Sequence, residues 1–62
     1  MTRTEVATEY VCTHARYVPD SPNNPYRVRW PTPYSRTLFL SKDTHDLVQQ
    51  LAKYIRKMER AA

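Results

Sequence analysis

Hydrophobic positions in the second half of the chain follow two periods in succession. From Tyr26 to Trp30 they alternate, with Tyr26, Val28 and Trp30 on one side and Arg27 and Arg29 on the other, which is the period of a half-buried strand. Pro31 and Pro33 remove backbone donors, so Pro31 to Ser35 predicts a turn. Arg36 to Leu40 resumes an extended pattern, with Leu38 and Leu40 expected to face the core and Thr37 and Phe39 the other side. From Thr44 to about Arg60 the period lengthens. Leu47, Val48, Leu51, Tyr54, Ile55 and Met58 fall on one stripe of an amphipathic helix, and Asp43 or Ser41 can cap its start. Asp43 and Asp46 place negative charge where the helix dipole favours it.

The first half is less decided. Glu5 to Val18 is rich in Thr, Val and Tyr, which fit a pleated surface and predict a strand. Val6, Ala7, Tyr10, Val11, His14, Tyr17 and Val18 also recur at helical spacing, so an N-terminal helix is the alternative. Pro19 to Pro25 holds three prolines with Asp and Asn residues and predicts a loop. The expected fold is α+β: a small antiparallel two- or three-stranded sheet packed on one C-terminal amphipathic helix, in the order βββα, with αββα as the alternative. Residues 1–62 are expected to make a single small domain, with fraying at 1–4 and 61–62.

Composition narrows the function classes. The chain contains no glycine, which excludes phosphate-cradling loops, the dinucleotide-binding turn and the nucleophile elbow, all of which need backbone that glycine alone supplies. Its single cysteine, Cys12, excludes an intramolecular disulfide, and a core this thin predicts support from a homodimer. No apolar run approaches the length of a membrane span and Met1 to Val6 lacks the apolar stretch of a signal peptide, which predicts a cytoplasmic protein that makes no membrane contact. The net charge of +4 is unevenly placed: two cations face three acids in residues 1–25, and eight face three in residues 26–62. A basic half of this density favours an anionic partner, with nucleic acid foremost.

If Arg27, Arg29 and Phe39 share the face that the helix leaves open, they make a surface for DNA, with guanidinium groups on phosphates or guanine edges and the aromatic ring on a sugar or base. Lys53, Arg56, Lys57 and Arg60 on the outer side of the helix are the expected secondary phosphate contacts. Cys12 and His14 could share a strand face as a metal pair, but a zinc site needs three or four ligands and only His45 remains, so Cys12 reads as a core residue and no metal is expected. Ser21, Ser35 and Ser41 show no base-orienting arrangement, and Trp30, Tyr34 and Tyr54 read as packing residues. No catalytic residue and no cofactor are expected. The leading expectation is a non-enzymatic, regulatory DNA-binding protein. The alternative is a phage or bacterial interaction module that binds and modulates a host protein, with Phe39, Trp30 or Tyr34 as aromatic anchors.

The two strands Tyr26 to Trp30 and Arg36 to Leu40, followed by a helix, resemble the small DNA-binding domains at the N-terminus of some phage-type integrases, in which a three-stranded sheet enters the major groove. That likeness covers about half the chain and implies DNA contact through the sheet. The glycine usual at the turn of those domains is absent here. Leu40-Ser41-Lys42-Asp43 with Leu47, Leu51, Tyr54 and Ile55 is also similar to the strand-to-helix part of the dimerisation domain of actinobacterial nucleoid proteins, which implies self-association. In those proteins a separate domain binds DNA.

Overall fold

The computed structural model describes residues 2–61. Its elements run α1 (Arg3–His14), β1 (Arg16–Tyr17), β2 (Tyr26–Arg29), β3 (Leu38–Ser41) and α2 (Thr44–Ala61). The strands form one antiparallel sheet in the order β1-β2-β3. Both helices lie on the same face of it, so the domain has two layers, and the core between them is Ala7 and Val11 of α1, Val28 of β2, and Leu47 and Leu51 of α2. The α+β class is therefore observed, as is the antiparallel sheet followed by a C-terminal helix.

The N-terminal segment differs from the strand expected over Glu5 to Val18. Most of it is helix, and only Arg16 and Tyr17 pair with the sheet. The helix starts with a capping box: the Glu5 amide donates to Thr2 Oγ1 at 3.1 Å, and the Thr2 amide donates to Glu5 Oε1 at 3.3 Å. Its threonines, which argue for a strand by composition, turn their hydroxyls back onto the helix, with Thr8 Oγ1 donating to the Thr4 carbonyl and Thr13 Oγ1 to that of Glu9. Packing then decides the matter, because Ala7 and Val11 are one helical turn apart and both bury against α2. Of the end residues expected to fray, Met1 and Ala62 lie outside the described residues; Thr2 is the N-cap of α1 and Arg3 and Thr4 are its first residues.

The helix α2 is the one expected. Asp43 caps it, accepting from the Asp46 amide at 2.7 Å. Asp46 in turn accepts from Ser41 Oγ at 2.7 Å and from Gln50 Nε2 at 2.8 Å, and these two bonds hold its carboxyl below the usual carboxylate range. Leu47 and Leu51 are fully buried, with Val48, Ala52 and Ile55 packed beside them; Met58 is exposed beyond the core.

Tyr26 and Val28 of β2, with Trp30 just beyond it, face the helices as their alternation predicts. On β3 the facing is the reverse of that expected. Val28 is the register partner of Phe39, and residues directly opposite in a sheet share a face, so Phe39 turns to the helix layer and meets Tyr54 with ring centroids 5.2 Å apart. Leu38 and Leu40, opposite Arg29 and Arg27, lie on the open face. The strand also begins two residues later than Arg36 and ends at Ser41.

Candidate nucleic-acid interface

The open face of the sheet is built by pairing. A hydrogen bond from the Val18 amide to the Pro25 carbonyl, 2.7 Å, fixes the phase of the β1–β2 ladder. Arg16 and Arg27, two residues along in the same register, are therefore a hydrogen-bonded pair whose Cα atoms sit about 5.5 Å apart. Their side chains rise from the face opposite Val28. Arg29 follows two residues along on the same side, so three guanidinium groups form a short row with Leu38 and Leu40 beside it.

Each arginine of β2 is positioned by a loop. Arg27 Nη2 donates to Ser21 Oγ at 3.3 Å in the β1–β2 loop, while its Nε is buried without a partner among the described residues. Arg29 Nη1 donates to the Ser35 carbonyl at 2.8 Å in the β2–β3 turn. That turn also carries Tyr34, 94% exposed, at the wall of a shallow depression of about 640 Å³ over the arginine row. The backbone beneath is tied to α1: the Arg29 carbonyl faces the side on which β1 has ended, and the Tyr10 hydroxyl donates to it at 2.6 Å. Burial pushes the pKa of Tyr10 up, which keeps that hydroxyl protonated.

No carboxylate answers this row among the described residues, where the ion pair present joins Arg3 to Glu59 between the two helices. Like charges directly opposite in a ladder are mutually destabilising. The Arg16–Arg27 pair is thus a local cost that an anion on the open face would remove.

The expected site residues divide into separate groups. Arg27 and Arg29 are together on the open face, as expected, and Arg16 joins them. Phe39 is not there, because it packs toward α2. Lys53, Arg56, Lys57 and Arg60 are exposed on α2, in the other layer, and share a groove with Phe39 in place of a surface with Arg27. Tyr34 is solvent-exposed, not packed, and Cys12 is exposed, not core. Cys12 and His14 are two positions apart on a helix and point to different sides. Among the described residues no group of three or more His, Cys, Asp or Glu side chains is placed to hold a metal ion, and no helix is long and apolar enough to cross a membrane. Sequence reasoning misses Arg16 as a site residue because its neighbour across the ladder depends on where the loop from Pro19 to Pro25 closes.

No family model, no curated protein and no solved structure matches this chain.

Proposed function

We propose that the protein is a small, non-enzymatic, regulatory DNA-binding protein that docks duplex DNA on the open face of its sheet. The observation that carries this reading is the row Arg16, Arg27 and Arg29, a like-charged cross-strand pair and its neighbour with no carboxylate partner among the described residues. Arginine suits the role because its planar fork bonds phosphate oxygens or guanine edges bidentately. Leu38, Leu40 and Tyr34 add apolar and aromatic surface for sugars and thymine methyl groups, in the role expected of Phe39. Docking is electrostatic, with release of counterions, and groove contacts follow. Lys53, Arg56, Lys57 and Arg60 reach phosphates only where DNA bends past the sheet edge, so they are secondary in this reading.

The rival reading is a phage or bacterial module that binds a host protein through the same face. Its supporting observation is the exposure of Tyr34, which with Leu38 lines the depression over the arginine row, an aromatic and aliphatic pair with an arginine rim.

Titration of labelled duplex DNA at several salt concentrations separates the two. Replacing Arg27 and Arg29 by alanine should leave the fold intact and make the slope of log affinity against log salt shallower by up to about 1.8, or about 0.9 for each phosphate no longer neutralised. A parent protein that binds no duplex below about 100 μM at low salt, where nonspecific contacts are strongest, would rule the DNA reading out in favour of the protein partner.

A further inference from the structure

The outer edge of β3 and the flank of α2 beside it form a second surface, independent of the arginine row. It is a groove of about 640 Å³ with Phe39, Gln50 and Tyr54 as its floor. Lys53, Arg56, Lys57 and Arg60 rim it, and no carboxylate lines it.

Phe39 brings β3 to this groove, and the outer edge of the strand on either side of it has a defined backbone phase. The Trp30 amide donates to the Thr37 carbonyl at 3.2 Å, and these two residues continue the β2–β3 register. In an antiparallel ladder inward-bonded pairs alternate with pairs whose backbone groups point outward. Phe39 and Ser41 are therefore bonded inward to β2, and Leu38 and Leu40 point their N–H and C=O groups out from the edge. The Leu40 carbonyl accepts from Gln50 Nε2 at 3.0 Å. The Leu38 N–H and C=O and the Leu40 N–H are left free of backbone partners outside the sheet among the described residues. An edge with free groups in this order is a template for an added strand.

We propose that this groove docks an extended acidic segment of another protein, added as a fourth strand along β3. Main-chain bonds to the Leu38 N–H and C=O and to the Leu40 N–H supply its register. An apolar side chain directed to the helix layer rests on the Phe39 and Tyr54 rings, and carboxylates beyond it toward the Thr37 end of β3 meet Lys53, Lys57 and Arg60, while the Ser41 end, where Asp46 lies, takes a neutral residue. Charge selects this occupant over a second copy of the chain, because pairing β3 with its own symmetry mate would bring the same cations of two α2 helices against one another.

The test uses short fluorescein-labelled peptides read by anisotropy. The first is Thr-Thr-Thr-Val-Thr-Glu-Thr-Glu, which in an antiparallel pairing puts valine opposite Phe39 and two glutamates beyond it on the same strand face toward Lys57 and Arg60; the second replaces both glutamates by lysine; the third replaces threonines on either side of valine by proline, which cannot donate to a ladder. The first is expected to bind and the other two to bind at least about tenfold more weakly, since both the charge complement and the ladder bonds contribute. Lys57→Glu with Arg60→Glu should weaken the first peptide by a similar factor. Leu38→Pro should abolish binding without cutting an inward ladder bond, because proline is tolerated where the edge N–H faces solvent. If that variant fails to fold, the proline peptide on the parent protein decides. Arg27→Ala with Arg29→Ala should leave peptide binding unchanged, which keeps this result separate from the DNA titration. Equal binding of the glutamate and lysine peptides, equal binding of the proline peptide, or displacement of the first peptide by duplex DNA that acts through Lys57 and Arg60 would each overturn the proposal.

Discussion

Phe39→Ala and Leu40→Ala alter neighbouring residues on opposite faces of β3, and the fold requires their costs to differ. Truncating a buried phenylalanine costs about 3–5 kcal/mol. Phe39 is half-buried and meets Tyr54 edge-on at 5.2 Å, so its loss should lie below that range, at about 2–3 kcal/mol including the aromatic pair. Leu40 is 40% exposed beside Arg27, and its truncation should cost about 1 kcal/mol or less. A chain of this length holds roughly 3–9 kcal/mol in all, at roughly 0.05–0.15 kcal/mol per residue. Phe39→Ala therefore removes a large share of the stability, and at about 4–8 °C per kcal/mol the midpoint should fall by about 8–24 °C. Thermal and urea unfolding followed by far-UV circular dichroism would measure both variants, with an unchanged urea slope confirming that the native state stays compact. A Leu40→Ala loss equal to or larger than that of Phe39→Ala would refute the register of β3 and restore Leu38 and Leu40 to the core.

Two further outcomes follow from charge. Asp46 has its carboxyl pKa lowered by its bonds from Ser41 and Gln50, so its contribution is fully present above the ordinary value of 3.8 and is lost as pH falls through the lower folded value. Asp46→Asn should be less stable than the parent at neutral pH, with the difference shrinking below that point; melting curves that keep a constant gap down to strong acid would contradict this. A homodimer that paired the arginine faces or the β3 edges would bring like charge together. Light-scattering masses at micromolar concentration should report a monomer at low salt and move toward a dimer as salt screens the repulsion, whereas a dimer mass that ignores salt would show that charge does not control assembly.

The parts of the fold that can be read from the sequence are those set by local chemistry. The α2 stripe, its acidic first turn and its Asp43 cap are adjacent in the chain, and so is the alternation of β2. The helix at the N-terminus is also signalled locally, by Thr2 three residues before Glu5 and by Ala7 four before Val11, but the Thr, Val and Tyr content of the same segment argues for a strand. Composition misleads because hydroxyls that favour strands in isolation are satisfied inside the helix, on the carbonyls of Thr4 and Glu9. The facing of β3 is out of reach for a different reason. Leu38, Phe39 and Leu40 are all apolar, so alternation does not choose between the two faces, and the choice rests on which residue lands opposite Val28. Arg27 and Arg29 are legible as a pair on one strand face; Arg16 is not, since it arrives from across a loop.

The position of α1 explains why the arginine face is open. A helix of three turns placed beside α2 covers Val28 from the same side and lets the small side chain of Ala7 bring the two helices close, so the core closes without using the other face of the sheet. Covering that other face would require burying Arg16, Arg27 and Arg29, none of which is ion-paired among the described residues, and an unpaired buried charge costs several kcal/mol. The same residues that make the face hostile to a second layer make it receptive to an anion, which brings the missing charge with it. Tyr10 couples the covered side of the sheet to the open one: this side chain of α1 meets Trp30 edge-on, with ring centroids 4.8 Å apart, and donates its hydroxyl to the Arg29 carbonyl. The helix that replaces a strand in the N-terminal segment thus also fixes the backbone from which the outermost arginine of the row projects.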